Sequence, residues 1–132
     1  MISVSLAGCS KDPAGNDAAE VSNTLTSGTW RITYFWDSGN DHTTDFSGYN
    51  FTFHAGGVLT AALNGNTETG SWAVLDSGDD SDNCDLGIGF TSQNYFGEIS
   101  GEWHILELTD VKVRMVDESG SGGADYLTFG KN

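Results

Sequence analysis

At 132 residues the chain has room for one folded domain and a tail, not for two cores. Seven Phe, four Trp and four Tyr argue against disorder, and 18 Gly beside a single Pro suit a meander with many tight turns. Five Lys and Arg against 19 Asp and Glu leave a formal charge of −14, which argues against nucleic acid and against attraction to anionic lipid, so membrane association would need a covalent anchor.

The chain opens with a small, uncharged apolar run, residues 1–8, followed by Cys9. Leu6-Ala7-Gly8-Cys9 resembles the lipobox of bacterial lipoprotein signal peptides. That resemblance implies that residues 1–8 are the remnant of a signal peptide and that Cys9 carries acyl chains. Ser10 directly after the cysteine resembles the outer-membrane sorting pattern, which implies an outer-membrane lipoprotein of the bacterial envelope. Residues 9–26 are polar and hold the lone proline, the composition of a flexible, disordered tether. Several acyl chains on one cysteine give stable anchoring where a single chain would be marginal.

From residue 27 to 132 apolar and polar residues alternate with a period of two, interrupted by Gly, Asn and Asp. The spacing predicts eight strands, over 28–36, 48–54, 58–63, 67–75, 84–91, 102–108, 111–118 and 125–131. In the first, Trp30, Ile32, Tyr34 and Trp36 are expected on one face. Residues 92–100 have room for a helical turn. Short turns favour pairing between sequence neighbours, so the expected fold is all-β, an eight-stranded antiparallel up-and-down barrel, with an open sandwich as the alternative.

Gly28-Thr29-Trp30 looks like the first-strand signature of lipocalins, in which the tryptophan closes the barrel floor. The wider layout is similar to lipocalin-like lipoproteins of Bacteroidetes: lipobox, polar tether, Gly-x-Trp, Gly70-Ser71-Trp72, Glu102-Trp103 and a closing Leu127-Thr128-Phe129-Gly130-Lys131. The resemblance implies a barrel-closing role for Gly28 and Trp30, with a basic residue packed over the indole. Lys131 and Arg114 are the two candidates. Two parts of the lipocalin pattern have no counterpart here: the large capping loop between Trp36 and Tyr49, and a helix after the last strand.

The search for chemistry ends without a catalyst. No two of the three histidines have metal-ligand spacing, although Asp41, His42 and Asp45 form a conceivable site in one turn-like segment. Residues 76–85 hold five Asp; Asp79, Asp80 and Asp82 are candidate calcium ligands, but the order does not match an EF-hand, and a solvated hairpin tip is the simpler reading. Glu98 and Glu102 could do acid–base work only if a cleft brought them together. Cys84, flanked by acids, reads as a small hydrophobe at a strand start; the alternative to a lipidated Cys9 is a Cys9 that is an ordinary terminal residue or pairs with Cys84. The expectation is therefore a monomeric protein that is not an enzyme and has neither cofactor nor metal. Its role is either to bind a small apolar ligand at a mouth lined by Trp36, Tyr49 and Trp103, or to act as a closed-core module that contacts a protein or glycan through its surface.

Overall fold

The computed structural model describes residues 18–75, 84–91, 95–118 and 123–132. The strands are β1 (Trp30–Asp37), β2 (Asn40–Asp41), β3 (Asn50–His54), β4 (Val58–Leu63), β5 (Asn66–Leu75), β6 (Asp85–Phe90), β7 (Gly101–Leu108), β8 (Lys112–Asp117) and β9 (Asp125–Lys131). Every neighbour pairs antiparallel in the order β2-β1-β3-β4-β5-β6-β7-β8-β9, and β1 also pairs with β9. The eight long strands thus form a closed up-and-down barrel, with β2 a two-residue extension on β1. Closure satisfies the backbone edges that an open sandwich would expose.

Turn chemistry sets the register. Asn64 (φ 52°) and Gly65 (φ 87°) are both left-handed, a two-residue loop that pairs Leu63 with Asn66 and whose twist matches the strands it joins. Between β1 and β3 only Trp30 and Phe51 pair. Asn132 latches this seam: its Nδ2 donates to Thr29 Oγ1 (3.1 Å) and Asn50 Oδ1 (2.8 Å), while its backbone N–H donates to the Thr29 carbonyl (3.0 Å).

Two irregularities change what faces inward. The β1–β9 register slips between Ile32 and Tyr34, and that places Phe35, not Tyr34, in the core beside Trp30 and Ile32. Tyr34 is 40% exposed, and Trp36 points outward with it, against the alternation expected for this strand. A second slip between Ile105 and Glu107 turns Leu106 to solvent and restores Leu108 to the inside, opposite Val113.

Residues 18–25, expected as part of the tether, form helix α1 (Ala18–Leu25). Val21 and Leu25 lie four apart on one helix face and are fully buried, with Ala18 packed beside them. That short apolar stripe outweighs the polar composition around it. The rest of the expected tether, Cys9 included, lies outside the described residues.

Both ends of the barrel are stoppered. At the end where β1 begins, α1 covers Trp30, whose indole N–H donates to the Leu25 carbonyl (3.0 Å). At the end where β1 finishes, two 3-10 turns fold over the mouth: η1 (Thr43–Phe46) and η2 (Tyr95–Ile99), the latter within the segment with room for a helical turn. They insert Phe46, Phe96 and Ile99, all buried. Phe46 meets Phe35 edge-on (5.7 Å) and Phe96 edge-on (5.3 Å), and Phe96 also touches Phe51 and Phe90.

Candidate functional site

Three places on this scaffold gather polar or aromatic side chains. The first is the floor, where Lys131 Nζ stands 5.1 Å from the centre of the Trp30 ring and donates to Ser27 Oγ (3.4 Å). Lys131 is thus the basic residue over the tryptophan. Arg114 lies elsewhere, with its Nε donating to Glu107 Oε1 (2.7 Å), and this holds the Glu107 carboxyl below the usual carboxylate range. Gly28, in the left-handed region (φ 79°), ends the turn after α1 and lets the chain pass beneath the lysine stem.

The second place is the rim around η1. Asp41 Oδ1 accepts from the backbone N–H (2.9 Å) and Oγ1 (2.6 Å) of Thr43, which keeps the Asp41 carboxyl below its ordinary range. Thr43 Oγ1 in turn accepts from the Phe35 backbone (2.9 Å), and the His42 backbone donates to the Phe35 carbonyl (2.8 Å). These bonds fix the loop so that His42 Nδ1 and Asp45 Oδ2 lie 3.2 Å apart. Glu98 of η2 reaches the same spot, and ligand atoms of His42, Asp45 and Glu98 all lie within 4.8 Å of one another. Of the three residues grouped from sequence, Asp41 is turned away to Thr43 and Glu98 stands in its stead. Asp37 is nearby, its carboxyl raised above the usual range by burial first, then by the charge of and hydrogen bond with Asp125 and by Glu98, while His42 lowers it.

The third place is an outer groove of about 390 Å³ across β6, β7 and β8. Asp85, 8% exposed, pairs across the strands with His104, whose Nδ1 lies 2.8 Å from its Oδ1. Glu102 also hydrogen-bonds Asp85, and this raises the Glu102 carboxyl above its usual range, with burial and the Asp85 and Asp117 charges adding to the shift. Glu98 and Glu102 therefore belong to different sites, and among the described residues no hydroxyl or thiol side chain joins the Asp85–His104 pair in the groove lining.

The residues expected to line a mouth do not share one. Trp103 is inside the barrel, 2% exposed, with its indole N–H donating to the Ile99 carbonyl (2.9 Å). Tyr49 packs edge-on against Phe96 (5.1 Å), its hydroxyl proton held more tightly by burial and by Tyr95. Trp36 sits on the outer surface opposite Tyr126 of β9. Asp79, Asp80 and Asp82 lie outside the described residues. Cys84, read as a small hydrophobe with a disulfide as the alternative, is buried and disulfide-bonded. The alternation of neighbouring residues carried no signal of that bond.

Neither the protein-family models nor the curated proteins contain a match to this sequence. Among solved structures the fold is similar to that of a DUF4847 family protein from Bacteroides vulgatus ATCC 8482. The TM-score is 0.56 and the identity 21%, over 85% of this chain and 97% of that one. That likeness establishes the barrel and its extent.

Proposed function

We propose that this chain is a non-catalytic protein of the bacterial cell envelope that works through the outer surface of a solid barrel. The carrying observation is the packing: Phe35, Phe46, Phe51, Phe96, Trp103 and Phe129 occupy the interior, and α1, η1 and η2 close the two ends. A calyx for an apolar ligand needs an internal void of roughly 300 Å³ or more. The clefts lined by Glu102 and His104 and by α1 and the Gly56-Gly57 turn instead open on the outside. The outer face offers Tyr34, Trp36 and Tyr126 on the β1–β9 ribbon, rigid aromatic surface of the kind that contacts a protein or glycan.

The Cys84 disulfide supports an oxidising compartment, in keeping with an envelope location. It also bears on the anchor. The only other cysteine in the sequence is Cys9, and one sulfur cannot hold both a thioether-linked lipid and a disulfide. The lipobox favours the lipid; the bonded state of Cys84 favours the staple. Intact mass of the protein from its native membranes separates them: added acyl mass on Cys9 supports the anchor, and loss of two hydrogens with no lipid replaces it.

Native mass spectrometry with a panel of fatty acids and retinoids tests the solid barrel. No retained complex is expected. A one-to-one complex abolished by enlarging an interior residue would overturn the reading in favour of a calyx.

A further inference from the structure

We propose that His42, Asp45 and Glu98 bind a divalent transition-metal ion, with zinc the ion that suits their chemistry best. One imidazole nitrogen and two carboxylate oxygens form a mixed N/O set with room left for water, a common arrangement for an open zinc site. An ion bound at ordinary distances wants its ligand atoms roughly 3–4 Å apart. His42 Nδ1 and Asp45 Oδ2 already stand at 3.2 Å, and the whole triad lies within 4.8 Å, a gap that side-chain rotation of the exposed Glu98 closes.

The ligands come from two elements far apart in sequence, and the protein holds both firmly. His42 and Asp45 flank the start of η1, whose backbone is tied to β1 through Phe35 and Thr43. Glu98 belongs to η2, which is anchored by the buried Phe96 and Ile99 on either side. A third, independent feature is the distribution of charge along the barrel. Among the described residues every Lys and Arg lies toward the end where β1 and β8 begin: Arg31, Lys112, Arg114 and Lys131. The opposite ends of the same strands carry Asp37, Asp117 and Asp125, with Asp45 and Glu98 above them. The rim thus has carboxylates converging on one imidazole, with no cationic side chain among the described residues to offset them. Such a field concentrates cations, and a bound ion would neutralise it.

Isothermal titration of the tag-free full chain with zinc chloride, beside a thermal melt, tests the site. One ion per chain and a raised Tm are expected. His42→Gln, Asp45→Asn and Glu98→Gln should each weaken binding by about tenfold or more, whereas His104→Gln should leave it unchanged. X-ray absorption at the zinc edge should report one imidazole and otherwise oxygen. Circular dichroism confirms that each variant keeps its strands. Absence of zinc binding, binding indifferent to the three substitutions, or a sulfur or second imidazole at the ion would each overturn the assignment. Calcium binding of equal strength that survives His42→Gln would overturn the choice of a transition ion.

Discussion

Lys131 Nζ stands 5.1 Å above the centre of the buried Trp30 ring, so the last residue of the last strand covers the first residue of the first. The barrel is closed at that point by chemistry as well as by backbone pairing. Lys131→Met keeps the aliphatic stem and removes the charge, and should cost about 0.5–1 kcal/mol. Trp30→Ala removes a core anchor as well and should cost about 3–5 kcal/mol. Urea unfolding monitored by circular dichroism measures both.

A backbone contact makes Gly70 irreplaceable. A Cβ there would overlap the Gly89 carbonyl and press on the Phe90 ring, because β5 and β6 cross closely at that pair. Gly70→Ala should lower stability by about 3 kcal/mol or more, since the obstructing oxygen cannot rotate away. At Gly130 the obstacle is only Thr33 Cγ2, 2.9 Å from a built Cβ. Gly130→Ala should therefore be rescued by Thr33→Ser, which removes that methyl, and a double-mutant cycle reads the coupling directly.

The rim acids fix the sign of one pH effect. Folding raises the Asp37 carboxyl above its ordinary value, through burial and then through Asp125 and Glu98. The folded state therefore holds the Asp37 proton more tightly than the unfolded chain, and stability falls as pH rises from the unfolded pKa through the folded one. Asp37→Asn should raise Tm by a few degrees at pH 7. The gain should shrink as pH drops through the carboxylate range and wild-type Asp37 takes up its proton. A series of melts from neutral to acidic pH checks it.

Asp41 and Glu107 run the other way, because hydrogen bonds to Thr43 and Arg114 hold their carboxyls low. Their contribution is present above the unfolded carboxylate pKa and is lost as pH falls through the folded value. Thr43→Val should remove the hydroxyl's share of the Asp41 part, leaving that of the residue 43 backbone N–H, and loosen the η1 loop, seen as faster amide exchange at His42 and Asp45.

Reductant should destabilise the domain by about 2–4 kcal/mol, the usual worth of a disulfide, and Cys84→Ala should reproduce the loss in the absence of reductant. Melts with and without a phosphine reductant provide the measurement. Equal Tm in both would show that the bond carries no stability.

Much of this fold was legible in the residues one by one. Alternation located all eight long strands because side chains on successive strand residues point to opposite faces, while the two left-handed residues that turn β4 into β5, Asn64 and Gly65, were settled by the pairing of Leu63 with Asn66. The composition also settled that the chain is acidic, folded and poor in cations. Faces were harder: the slip between Ile32 and Tyr34 exchanged Tyr34 for Phe35 in the core, because a bulge is a property of two paired strands and leaves no mark on one.

The ends of the barrel and the sites were decided by tertiary structure. Val21 and Leu25 read as tether until there is a floor for them to cover, and Phe96 reads as part of a helical turn with nothing to cover until there is a mouth to fill. His42 and Asp45 were visible together, but Glu98, more than fifty residues on, joins them only when η2 folds over η1. Local pattern records what each residue does relative to its neighbours along the chain. Which distant side chains meet depends on strand register, twist and closure, and those are set by the packing of the whole barrel.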